Sequence, residues 1–179
     1  MRKIWFCCTL FVICTFLSCQ DKKATGVIIS SGNKPKKEQQ DPFIEGNRQI
    51  VTLENEEIEL FLKRYEWEPV NTGTGLRIQI VNKKEGATPK EGNTVSLKYK
   101  TFLLNGDMIY NSDELGMKNF VVDKSEEISG LHEAVKRMRK GESARLIIPA
   151  HLAYGVIGDG DRIKGHASIA MYIELIDIK

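Results

Sequence analysis

Hydrophobic and polar positions divide the chain into three stretches. Residues 4–17 form an apolar run, residues 21–48 are predominantly polar, and apolar positions then recur periodically to the end. Between Ile50 and Glu66 the apolar residues Ile50, Leu53, Ile58, Phe61, Leu62 and Tyr65 are spaced for one face of a helix, with glutamates and Lys63 between them. Pro69 closes this segment. The helix must dock either on the following domain or on a partner. From Asn71 onward the period changes to two. Leu76 to Val81 predicts a strand, Lys83 to Asn93 a loop, and Val95 to Leu103 a long strand entering an Asn105-Gly106 hairpin turn. Met108 to Tyr110 and Phe120 to Val122 predict short strands. Gly130 to Arg139 reads as a helix, with Leu131, Ala134, Val135 and Met138 on its apolar face and His132, Glu133, Lys136, Arg137 and Arg139 on the polar one. Ser129 is placed to cap it and Gly141 to end it. Two more alternating runs follow, Ala144 to Ile148 and Ala167 to Ile178, the second with Ile169, Met171, Ile173 and Leu175 on one side. This order predicts an α+β body over residues 71–179, an antiparallel sheet with a helix laid on it and an apolar hollow between them.

Arg2 and Lys3 precede the apolar run, which is too short for a comfortable membrane span and ends in Phe16-Leu17-Ser18-Cys19. A small residue before a cysteine at this place resembles a lipobox. That resemblance implies a signal peptide over 1–18 and acylation of Cys19, with an ordinary cleaved signal as the alternative. All four cysteines, Cys7, Cys8, Cys14 and Cys19, lie here. The body therefore has no disulfide framework, thiolate metal site or cysteine nucleophile. Lys+Arg total 26 against 24 Asp+Glu, and loss of Arg2 and Lys3 leaves the remainder near neutral. With positive and negative residues interleaved, nothing points to nucleic acid. Residues 19–48 read as a tether, residues 49–68 as the amphipathic helix, and the expected location is an envelope lipoprotein, on the outer membrane facing the periplasm.

Chemistry concentrates in Ile148-Pro149-Ala150-His151-Leu152-Ala153-Tyr154-Gly155-Val156-Ile157-Gly158. Taken with Gly92 to Tyr99, Leu104-Asn105-Gly106, Ile128 to Val135, Met138 to Glu142 and Glu174-Leu175, this stretch resembles the FKBP-type peptidyl-prolyl cis-trans isomerases. The lipobox, the first helix and Phe120 to Ser125 are similar to the gliding-motility-associated FKBP-like lipoproteins of Bacteroidetes. The resemblance implies an FKBP-like antiparallel twisted sheet wrapped around one helix, acting on proline-containing polypeptides without cofactor or metal. It assigns Tyr99 to the pocket wall, Ile128 and its N–H to a substrate carbonyl, Leu131 to the floor and the Tyr154 hydroxyl to a second carbonyl. Ile109, Tyr110, Phe120, Ile163 and Met171 are assigned to substrate binding. The family usually has tryptophan at Leu131, Phe-Asp at Ile109-Tyr110, phenylalanine at Met171 and a proline pair at Lys164-Gly165. The resemblance implies a peptidyl-prolyl isomerase that assists the folding of exported proteins; the smaller floor and the missing acid at position 110 give the alternative, a weakly active or non-catalytic FKBP-like chaperone or partner-binding lipoprotein.

Neighbouring motifs carry other chemistry poorly. Gly155, Gly158 and Gly160 lack the lysine of a phosphate loop. Asp159-Gly160-Asp161 lacks the further oxygen ligands of a calcium loop, and His132, His151 and His166 are dispersed along the chain.

Overall fold

The computed structural model describes residues 42–179. The signal peptide, Cys19 and most of the predicted tether lie outside them. Helix α1 spans Pro42–Tyr65, β1 Val70–Asn71, β2 Arg77–Ile80, β3 Thr94–Leu103, β4 Met108–Asn111, α2 Ser112–Leu115, β5 Lys118–Val121, α3 Ser129–Val135, β6 Ser143–Ile148 and β7 Ile169–Ile178, with a 3-10 turn at Ala150–Leu152. The strands form one antiparallel sheet in the order β1-β2-β6-β7-β3-β4, with β5 on the same edge of β3 as β4. Helix α2 therefore interrupts a single edge strand. Asn111 caps it by accepting the Glu114 N–H at 2.9 Å, and Gly116 leaves it at φ 80°.

Alternation along β6 and β7 sorts side chains to two faces, each carrying a buried cluster. Leu146, Ile148, Ile169, Met171, Ile173 and Leu175 join Leu131, Ala134, Val135 and Met138 of α3 in the main core. Gly130 is required there, because a Cβ would run into the Ile148 side chain. On the other face Ile147 and Ala170 belong to a second cluster with Ile58, Phe61, Leu62, Trp67 and Leu104. Helix α1 thus docks on its own domain, across the sheet from α3. Its three buried anchors contribute about 1.5–3 kcal/mol each. Polar contacts fix its angle: Glu54 Oε1 accepts the Ala150 N–H at 2.7 Å and the Ser168 hydroxyl at 2.5 Å, while buried Arg77 reaches Asn55 and Glu59. Trp67 is enclosed by Phe61, Tyr172 and the Arg145 guanidinium.

Four expectations require correction. Helix α1 begins at Pro42 rather than residue 49, so the last part of the predicted tether is helical; proline is tolerated in a first turn because its missing N–H has no intrahelical partner there. Within α1, Ile50, Leu53 and Tyr65 stay exposed, because the sheet meets only the segment around Ile58 to Leu62. Ser129 does not cap α3, since its hydroxyl bonds the Leu152 carbonyl and Ile128 occupies the cap position. His132 is buried rather than solvent-facing. Its Nδ1 accepts the Asp123 N–H at 3.0 Å and Nε2 lies 3.2 Å from the Ser125 carbonyl, which ties the 121–128 loop to α3.

Candidate functional site

Between α3, β3 and the loop after β6 lies a cavity of about 210 Å³, lined by Tyr99, Thr101, Tyr110, Leu115, Lys118, Ile128, Leu131, Tyr154, Asp159 and Met171. Tyr99 and Thr101 come from alternate positions of β3, and Met171 faces Thr101 across the β3–β7 ladder. Leu131, in the first turn of α3, is almost fully buried at the base. The interruption between β4 and β5 brings Leu115 and Lys118 to the mouth.

The Tyr154 hydroxyl has no hydrogen-bond partner among the described residues. Burial, with smaller contributions from Glu127, Asp159 and Tyr99, pushes its pKa up to about 12, so it remains a donor at any physiological pH. Tyr110 is engaged instead. Its hydroxyl donates to Asp159 Oδ2 at 2.5 Å and lies 3.4 Å from Asp161. Burial and the Asp159 carboxylate raise its pKa to about 12. Burial also works against the charge on Asp159, but the Tyr110 hydroxyl and the N–H groups of Asp161 and Ile163, at 2.9 and 2.8 Å, outweigh it and hold that carboxyl below its ordinary value. Arg162 completes the clasp by donating to the Ile109 carbonyl at 2.6 Å and lying 5.6 Å from the Tyr110 ring.

This clasp changes the meaning of the altered motif. A carboxylate does border the cavity beside position 110, but it arrives on the 154–166 loop, opposite a tyrosine. The loop is drawn tight by two glycines. A Cβ at Gly158 would strike the Ile163 carbonyl, and one at Gly165 the Val156 carbonyl. Gly165 therefore replaces one of the family's usual prolines where the backbone closes on itself.

Of the residues assigned from the sequence, Tyr99, Ile128, Leu131, Tyr154, Tyr110 and Met171 converge on the cavity. Ile109, Phe120 and Ile163 lie in the core beneath it and do not line it. They shape the site through packing. Ile128 lines the cavity, but its N–H is already engaged by Glu127 Oε1 at 3.0 Å. Sequence reasoning missed Thr101, Leu115, Lys118 and Asp159 as lining residues. Thr101 shares the β3 face of Tyr99 and was accessible by the period-two rule. The others are placed by the break in the edge strand and by loop closure, which leave no periodic signal. Among the described residues no group of acidic, histidine or cysteine side chains is arranged to hold a metal ion.

The fold and cavity define an antiparallel-sheet domain with a half-open pocket between its helix and sheet, and comparison with known proteins places it in a family. The family model for the FKBP-type peptidyl-prolyl cis-trans isomerases matches residues 85–176, and the chain belongs to that family. It is 35% identical over 109 residues to the FKBP-type peptidyl-prolyl cis-trans isomerase FkpA of Escherichia coli, covering 60% of this chain and 39% of FkpA. The crystal structure of that protein superposes with a TM-score of 0.62 at 30% identity, covering 75% of this chain and 63% of the other. FK506-binding protein 1 of Dictyostelium discoideum is 31% identical over 59% of this chain and 99% of its own length. The outer membrane protein MIP of Legionella longbeachae is 31% identical over 59% of this chain and 45% of its own. The chain thus spans about two fifths of the length of FkpA.

Proposed function

We propose that the cavity binds the proline ring of an extended chain and catalyses rotation about the preceding peptide bond. Amide resonance sets a barrier of about 18–20 kcal/mol for that rotation. Water stabilises the planar amide by hydrogen bonding its carbonyl. A hollow that buries the ring and excludes water from the rotating carbonyl favours the twisted form, and no nucleophile or cofactor is needed. Tyr99, Leu131 and Met171 supply the apolar enclosure, and Tyr154 anchors a second carbonyl so that the chain is held while one bond turns. The observation that carries the reading is the unpartnered, protonated Tyr154 hydroxyl at the mouth of a cavity based on Leu131. The full chain should accelerate cis-trans isomerisation of a proline tetrapeptide; a folded preparation that gives no acceleration at high concentration excludes catalysis.

We infer further that Cys19 is the lipid-modified first residue of the mature chain and that the protein assists folding of exported proteins at the cell envelope, in a setting related to gliding motility. The Ser18-Cys19 junction after the apolar run supports this, and the similarity to an outer membrane protein is consistent with it. Palmitate labelling should be lost in Cys19→Ala; equal labelling would rule the anchor out. Among the described residues no helix is long and apolar enough to cross a membrane. A second reading, a partner-binding module with little catalysis, is favoured by the leucine base and by the occupied Ile128 N–H. Tight binding of proline peptides without acceleration selects it.

A further inference from the structure

Lys118 and Ile128 stand on different elements of the cavity wall, and one carboxylate joins them. Glu127 Oε1 accepts the Ile128 N–H at 3.0 Å, and Glu127 Oε2 accepts from Lys118 Nζ at 2.7 Å. The side chains are 12% exposed for Glu127 and 26% for Lys118, so the pair is sheltered rather than a loose surface contact. The Lys118 ammonium also sits 5.4 Å from the centroid of the Tyr99 ring. The donor assigned to a substrate carbonyl is therefore already satisfied by a charged acceptor, and charge-assisted hydrogen bonds are stronger than those to a neutral carbonyl.

We propose that Glu127 sets substrate affinity by competing for the Ile128 N–H, with Lys118 holding the competitor in place. The inference rests on reading the cavity as a proline pocket. A substrate carbonyl binds by exchanging the Glu127 carboxylate off Ile128 while that carboxylate keeps its contact with Lys118. The exchange is complete before the bond rotates, so it acts on KM and leaves kcat unchanged. Removing the competitor should tighten binding by about fivefold, the worth of one net hydrogen bond. Loss of the ammonium in Lys118→Met, which retains an apolar stem, should give a smaller gain in the same direction.

The test uses the full chain, with the tetrapeptide Ala-Leu-Pro-Phe as the probe, comparing wild type, Glu127→Ala, Glu127→Gln and Lys118→Met. Binding is read from amide shifts around Leu131, catalysis from KM and kcat, and the free-state contact from hydrogen exchange at the Ile128 amide. Glu127→Ala should bind about fivefold more tightly, lower KM with kcat unchanged and expose the Ile128 amide to faster exchange; Glu127→Gln, which keeps a neutral acceptor but loses the charge and the Lys118 ion pair, should fall between wild type and Glu127→Ala. Equal binding by wild type and Glu127→Ala, or equal exchange at Ile128, overturns the inference even if both proteins catalyse. Tighter binding by Glu127→Ala with no catalysis by any variant supports the inference and removes the isomerase reading. Should Glu127→Ala fail to fold, the Lys118→Met comparison decides on the same readouts.

Discussion

Tyr154 and Tyr110 are two phenols on one cavity with opposite duties. Tyr154 is unpartnered and available to a ligand, whereas Tyr110 is tied to Asp159. Tyr154→Phe should therefore lower kcat/KM by about fivefold, the value of one hydrogen bond, while leaving the denaturation midpoint nearly unchanged. Both phenols are raised in the folded chain from 10.0 to about 12. The unfolded chain loses these protons first, so their stabilising contribution is fully present below about pH 10 and disappears as the pH rises to about 12. Urea midpoints should fall across this interval and fall less in the Tyr110→Phe/Tyr154→Phe double variant. Asp159 behaves in the opposite sense. Held below the ordinary carboxylate value, it stabilises the fold above that value and loses the effect as the pH falls through the folded one. Leu131 is part of the core as well as the base of the cavity, and Leu131→Ala should cost about 2–5 kcal/mol in equilibrium unfolding.

The elements differed in how visible they were from sequence. Strands β3, β6 and β7 are legible because one side of each carries apolar residues at every second position, and the β3–β4 turn because Asn105-Gly106 leaves few other solutions; Gly106 has φ 104°. Helix α2 was not legible, since its four residues Ser112–Leu115 carry no apolar period. The inward turn of His132 could not be read from its helical neighbours, because it depends on backbone groups of Asp123 and Ser125 in a separate loop. Asp159 carries no local signal beyond the Asp159-Gly160-Asp161 motif, because its contact with Tyr110 spans 49 positions. That contact makes the 154–166 loop a testable element. Asp159→Ala removes the acceptor for Tyr110, Asp161 and Ile163 together, and amide exchange at Asp161 and Ile163 should rise while the β6–β7 amides stay protected.

At the scale of the domain, α3 covers one face of the sheet and α1 covers part of the other. Sequence periodicity identified the α3 face, but it could not choose between the domain and a partner as the dock for α1. The choice follows from Phe102, Leu104, Ile147 and Ala170, which form an apolar patch on the second face that fits Ile58, Phe61 and Leu62. Glu54 adds specificity by satisfying Ala150 and Ser168 from the helix side. Glu54→Ala leaves a partly buried N–H unsatisfied and should cost about 1–3 kcal/mol, measured by denaturant titration. A much larger loss is expected for Trp67→Ala, about 3–5 kcal/mol, because the ring closes the end of this second layer.

The break that α2 makes in the outer strand bears on how the sheet edge meets other chains. Beyond β3 the border is divided into β4, Met108–Asn111, and β5, Lys118–Val121, so a foreign polypeptide finds only short lengths of ladder on which to add itself. Long, straight borders template aggregation. A segmented border leaves little length to copy, so the domain itself resists becoming the seed of a fibre.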